Sequence, residues 1–129
     1  MNLLLDSNIV VPLTRRELKK LNPKIVALLE TFEGFVFVSA ASLWEIAIKT
    51  RLGKLDPLVP LEDIPGYVEG LGFALMDITA HHAIEGLTQV PDTRDPFDRL
   101  LLAQCQVENL RLVTVDPKLL PHPLAWRAS

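Results

Sequence analysis

Four acidic residues stand where an acid is out of place. Asp6 directly follows Leu3-Leu4-Leu5. Glu45 lies inside Ala40-Ala41-Ser42-Leu43-Trp44-Glu45-Ile46-Ala47-Ile48. At about 100° per residue it points along the stripe of Ala41, Ile48 and Leu52. Asp98, in Asp95-Pro96-Phe97-Asp98-Arg99-Leu100-Leu101-Leu102, falls near Leu101, Leu102 and Cys105 by the same arithmetic. Asp116 ends Leu112-Val113-Thr114-Val115. A carboxylate on an apolar stripe loses hydration unless it is paired or binds a metal. Four carboxylates brought together raise one another's pKa and cannot all stay ionised without a counter-charge. A divalent cation supplies it, and an all-oxygen donor set suits Mg2+ or Mn2+. The chemistry that needs such a cluster is phosphodiester hydrolysis, where the ion binds phosphate oxygens and makes a water acidic.

Each acid also has a plainer reading. Asp6 is placed to cap a following helix. Glu45 has Lys49 at i+4, the favourable order for a helical ion pair. Asp98 falls in the first turn of its helix, where the dipole favours an acid, although Asp95, just before Pro96, is the better cap. Asp116, before Pro117, is placed to start a turn. Most other acids, among them Glu17, Glu30, Glu62 and Glu108, lie on polar faces or in turns, where carboxylates are ordinarily solvated.

The elements that must position the four acids follow from periodicity and punctuation. Leu3 to Leu5 reads as a strand buried on both faces. A helix is expected from Asp6-Ser7-Asn8 to about Lys20, and another from Pro23 to about Phe32. Phe35 to Val38 reads as a second strand. Ser39 or Ser42 caps a helix that runs to about Leu52 and stops at Gly53. A weaker helix is expected over Leu61 to Leu71, a short strand over Phe73 to Asp77, and a helix from Ala80, capped by Thr79, to about Thr88. The helix beginning at Pro96 reaches about Glu108. Leu112 to Val115 reads as a strand, and Leu124 to Trp126 as a short edge strand. Strands alternating with helices predict an α/β domain, a parallel sheet with helices on both faces. In such sheets ligands bind beyond the carboxyl ends of the strands, where Asp6 and Asp116 fall. If the first and last strands are neighbours, both acids share one edge, and two helices bring Glu45 and Asp98 over it.

Charge balance limits the partners. The 129 residues carry 13 Lys and Arg against 16 Asp and Glu, a formal net charge of -3. This excludes a strongly basic chain that coats phosphate. Setting aside the four acids leaves 12 against 13 basic residues, so the surplus is no larger than the candidate site. One cysteine, Cys105, permits no intrachain disulfide. With no signal-peptide pattern, the expected place is the cytoplasm. The longest uncharged run, Gly34 to Trp44, is too short to span a bilayer. Three histidines and one cysteine make no zinc pattern, and Gly-rich phosphate loops are absent from the sequence. Length and composition fit one domain over 1–129.

The chain resembles the PIN-domain ribonucleases, in particular the VapC-type toxins of toxin–antitoxin pairs. Four stretches carry the likeness in order: Leu3 to Asn8, Val38 to Lys49, Arg94 to Gln104 and Leu112 to Asp116, with Leu52-Gly53-Lys54-Leu55 between the second and third. The resemblance implies a three-layer α/β/α domain around a mostly parallel sheet of four to five strands. It implies that Asp6, Glu45, Asp98 and Asp116 form the acidic pocket, holding Mg2+, with Mn2+ able to substitute. Ser7 falls where the family has a supporting hydroxyl, and Asp95 falls where a capping or second-layer group is typical. The implied activity is endonucleolytic cleavage of RNA, the implied partners a cognate antitoxin and a second copy in a homodimer. After Asp116 the run Pro117-Lys118-Leu119-Leu120 lacks the aromatic residue the family often has there.

Substrate binding calls for positive charge. Arg15, Arg16, Lys19 and Lys20 form one cluster, Lys49, Arg51 and Lys54 a second, and Arg99 adjoins Asp98. Arg15, Arg16, Lys49 and Arg99 are the candidate RNA contacts; solvated helix faces are the alternative. Two other functions stay open at this point. One is a different acid-pocket phosphohydrolase, such as a haloacid-dehalogenase-like enzyme, although position 8 is Asn where that family has a second Asp. The other is a non-catalytic PIN-type binding module, although such domains usually lose pocket acids.

Overall fold

Alternation along the first strand sets the layers. The computed structural model describes residues 1–128. In β1 (Asn2–Leu5), Leu3 and Leu5 face one core and Leu4 faces another. The first core also takes Ile9, Val10 and Leu13 of α1 (Ser7–Thr14) and Ile25 of α2 (Pro23–Thr31). Val36 and Val38 of β2 (Val36–Ser39) and Ile46 of α3 (Ala40–Arg51) join them, as do Ile64 and Val68 of α4 (Ile64–Gly70). The second core packs Leu4 against Leu101, Leu102 and Cys105 of α6 (Pro96–Glu108) and Leu110 and Leu112 of β4 (Leu110–Val113). Every side chain of Leu3 to Leu5 is fully buried, as the unbroken apolar run requires of a central parallel strand.

The sheet has four strands in the order β3-β2-β1-β4, with β3 at Ala74–Met76. All pairs are parallel, with Leu4 opposite both Phe37 and Leu112. Helices cover both faces, so the expected three-layer α/β arrangement is the one observed. The first and last strands are neighbours, and the chain reverses its direction of travel across the sheet between them. Among the described residues no helix is long and apolar enough to cross a membrane.

Four boundaries differ from the sequence reading, each for a local reason. The first helix stops at Thr14 instead of continuing to Lys20, and Leu18–Lys20 forms a separate 3-10 turn. Arg16 takes a positive φ of 57°, Arg16 N–H donates to Leu13 O, and Glu17 N–H donates to Pro12 O. This is a Schellman-type stop without the glycine that would reveal it. Helix α5 covers only Ala80–Ile84. The Gln106 side chain pins the stretch beyond it, donating to Gly86 O at 2.8 Å and accepting from Thr88 N–H at 2.9 Å. Strand β4 starts two residues early because Asn109, left-handed at φ 55°, ends α6 at once. It therefore ends at Val113, not beside Asp116. Leu124 to Trp126 makes one parallel bridge, Ala125 to Leu112, not a full strand.

Candidate active site

The register of β1 and β4 builds the site. Leu5 pairs with Val113, so the next residues on each strand, Asp6 and Thr114, meet at the carboxyl edge. The Thr114 hydroxyl donates to Asp6 Oδ2 at 2.8 Å. The Ser7 amide donates to Asp6 Oδ1 at 2.7 Å, so Asp6 is also the N-cap of α1. The capping role thus holds the Asp6 carboxylate at the carboxyl edge of the sheet. Asn8 Nδ2 lies 3.3 Å from Asp6 Oδ2 and 3.2 Å from Thr114 Oγ1, closing a small ring of polar atoms.

Glu45 approaches from α3, which packs on both α1 and α6. Only 6 % exposed, it accepts the Ser7 hydroxyl on Oε1 at 2.7 Å and pairs through Oε2 with Lys49 Nζ at 3.1 Å. Ser39, at the end of β2, starts that helix by accepting the Ala41 amide at 3.0 Å. Asp98 enters from the first turn of α6. Asp95 caps this helix through the Phe97 amide at 2.8 Å, leaving Asp98 free of capping work. The Asp98 carboxylate is buried and accepts the Thr93 hydroxyl on Oδ2 at 3.0 Å. Arg99 Nε in turn donates to Thr93 O at 3.0 Å and braces that loop.

Asp116 sits two residues past Thr114, half-buried. Its amide donates to Thr114 Oγ1 at 3.0 Å, while its Oδ1 accepts the Lys118 amide at 2.9 Å. It therefore starts a turn, and Thr114 occupies the strand-end position that the sequence reading gave to Asp116. Thr114, Thr93 and Asn8 are site residues that the sequence reading overlooked. Only Thr114 had a signal, since the register expected of neighbouring first and last strands sets it against Asp6.

The electrostatics show a deficit of positive charge. Burial raises the Asp6 pKa above the ordinary value. Hydrogen bonds from Thr114 and Ser7 lower it, while the charges of Glu45 and Asp116 raise it further. Burial likewise pushes Asp98 up to about 6, opposed by the Thr93 hydroxyl and reinforced by Asp95, Asp6 and Asp116. Asp6 thus feels the charges of Glu45 and Asp116, and Asp98 those of Asp6 and Asp116, with Lys49 paired only to Glu45. Among the described residues no group of three or more His, Cys, Asp or Glu side chains is placed to hold a metal ion by itself. Mg2+ rarely needs one, since it keeps several waters and takes one or two carboxylates directly. The donor set is all oxygen and short of positive charge, and it fits a hydrated hard cation.

The candidate basic residues are dispersed. Arg15 is tied to Glu17 and to Asp56 O. Arg16 lines a separate cavity with Leu13, Tyr67 and Leu71. Lys49 and Arg99 stand beside Glu45 and Asp98. Cys105 is fully buried in the second core, its thiol pushed up to about 12 by burial, which leaves no reactive thiolate.

No curated protein matches this sequence. Several solved structures share the fold, two of them as follows. One is a chain of a toxin–antitoxin complex from Klebsiella pneumoniae, with TM-score 0.63, 18% identity, and coverage of 97% of this chain and 96% of that one. The other belongs to VapBC2 from Rickettsia felis bound to a DNA fragment from its promoter, with TM-score 0.59, 17% identity and the same coverage. A family model described as the PIN domain matches residues 3–121. That match spans β1 from Leu3, the other three strands and all four candidate carboxylates, and the chain belongs to the PIN-domain family.

Proposed function

We propose that this chain is a metal-dependent endoribonuclease toxin of the VapC type, one PIN domain acting in the cytoplasm and neutralised by a cognate antitoxin. The observation that carries the reading is the set of four carboxylates at the carboxyl edge, two of them raised in pKa by burial and mutual repulsion. Asp6, Glu45, Asp98 and Asp116 would hold Mg2+, or Mn2+ in its place. When bound, the ion supplies positive charge to phosphate oxygens and acidity to a water. The chain's own groups fix the acids beforehand. Thr114 and the Ser7 amide orient Asp6, the Ser7 hydroxyl and Lys49 orient Glu45, and Thr93 orients Asp98. Such prior orientation means that little reorganisation is needed as charge develops.

Both structural neighbours come from toxin–antitoxin complexes, which supports an antitoxin partner, and a homodimer is part of the same reading. A non-catalytic binding module is disfavoured because all four acids are present and each is held by a hydroxyl or amide donor. The test is cleavage of a single-stranded RNA with Mn2+. Asp6→Asn and Asp98→Asn are each expected to abolish cleavage while circular dichroism and dimer mass stay unchanged. Full activity in either variant, or in excess EDTA, would overturn the mechanism.

A further inference from the structure

Beside the acidic cluster lies a cavity of about 380 Å³ whose lining includes Ser7, Asn8 and Glu45 from that cluster. Its apolar lining comes in part from Val11, Ile46 and Leu55, and it is flanked by Lys49 and Lys54. The end of α3 brings the two lysines together. Gly53 turns the chain at a φ of 73°, and Lys54 N–H donates back to Lys49 O at 2.9 Å. Lys49 is paired with Glu45, whereas Lys54 makes no ion pair among the described residues. Glu45 is the one carboxylate on the wall, and it is already neutralised by Lys49. The cavity is therefore cationic next to a cleft that is anionic.

We infer that this cavity is the subsite for the nucleotide adjoining the scissile bond, an inference that rests on the nuclease reading above. Lys54 holds that nucleotide's phosphate, with Lys49 behind it, and the sugar and base lie on Val11, Ile46 and Leu55. Three observations favour RNA over a protein segment. The volume lies at the small end of the range for compact ligands, about 300–1,000 Å³, and suits one nucleotide. Its wall continues into the cleft where the bond would be cut. Its free charge is a lysine, which binds phosphate as a point charge. A polyanion entering an acidic cleft needs such a cation close by, and Arg15 and Arg16 are engaged or placed elsewhere.

The test is fluorescence anisotropy of a labelled single-stranded oligouridylate in EDTA, titrated between about 50 and 200 mM salt. Lys54→Gln is expected to weaken binding about fivefold and to lower the slope of log affinity against log salt by about 0.7. Lys54→Arg should restore both, and Lys24→Gln, remote from the cavity lining, should change neither. In Mn2+-dependent cleavage the same Lys54→Gln variant should raise KM and keep kcat. Cleavage by the wild type with KM and salt slope unchanged in Lys54→Gln would overturn the subsite and leave the nuclease standing. Binding that depends on Lys54 without cleavage of any RNA would overturn the nuclease and, with it, the assignment of the cavity to a nucleotide beside a scissile bond. A Lys54→Gln variant that loses antitoxin affinity but binds RNA normally would assign the cavity to the protein partner and overturn the proposal.

Discussion

Two buried polar clusters in this molecule obey opposite rules. Around His82 both ring nitrogens are matched, and only the neighbouring Gln104 Oε1 lacks a partner there among the described residues. The Thr79 amide donates to His82 Nδ1 at 3.0 Å, so Nε2 carries the proton and donates to Glu108 at 2.7 Å. The His82 amide returns a bond to the Thr79 hydroxyl at 3.1 Å, completing a capping box for α5. The ring is 2 % exposed, with each nitrogen satisfied. At the carboxyl edge of the sheet the groups do not match. Carboxylates face one another with hydroxyl and amide donors but only one paired cation, and two of their pKa values are raised. Buried polarity that is neutral and complementary stabilises a fold. Buried polarity left short of positive charge marks a place where something else must bind.

The comparison breaks most sharply if the two clusters trade roles under mutation. Asp6→Asn keeps an acceptor for the Ser7 amide and removes a charge. Cleavage in a single-turnover assay should fall about a thousandfold, or about 4 kcal/mol, while the urea midpoint holds or rises. His82→Ala should do the reverse. It empties a buried ring site and orphans the Thr79 amide, costing about 3 kcal/mol in urea unfolding, with kcat kept. Loss of cleavage in His82→Ala without loss of stability would end the distinction.

How far this contrast was legible in the sequence depends on what carried it. Periodicity exposed Glu45 and Asp98, because an acid on an apolar helical stripe conflicts with burial. The unbroken run Leu3 to Leu5 exposed the central strand and so Asp6. Thr93, by contrast, meets Asp98 across a loop whose path periodicity does not describe, and its hydroxyl is unremarkable in composition. Asp116 was misplaced because strand ends depend on where the preceding helix stops. That stop lies in the left-handed Asn109, not in any property of Leu110 to Val115. The first helix was overextended for the same reason, since Arg16 adopts a conformation usually signalled by glycine. The buried role of His82 is not legible in the sequence, because a capping box built on histidine lacks the Glu or Gln that announces one.

A smaller effect separates a donor from the acid it serves. Thr114→Val keeps the shape and removes the hydroxyl that lowers the Asp6 pKa. Cleavage should fall about tenfold, the lower end for loss of a group supporting a metal ligand, and Thr114→Ser should retain it. Equal activity in Thr114→Val would show that Ser7 and Asn8 suffice to orient Asp6.

The smallest effect is the most specific, because it concerns the sign of a pH dependence. Asp98 moves from an ordinary 3.8 to about 6 in the folded chain. Between those values the folded state binds more proton than the unfolded state. This carboxyl therefore contributes a loss of stability as pH rises through the window, and the loss levels off above it. Asn at position 98 resembles the protonated acid and can still accept from Thr93. In EDTA, Asp98→Asn should match the wild type near the low end of the window and exceed it above the high end. Burial is the larger cause of the shift and repulsion the smaller, and local relaxation and solvent discount both, so the gain should be only about 1 kcal/mol, or about 3 °C in Tm. Glu108 meets the His82 ring and no second carboxylate among its hydrogen-bond partners, so Glu108→Gln should show no such crossover. Added Mg2+ should erase the advantage of Asp98→Asn at neutral pH, because the ion supplies the counter-charge that the mutation makes unnecessary. If the advantage persists in Mg2+, the repulsion at Asp98 is a structural defect and not the imprint of a bound cation.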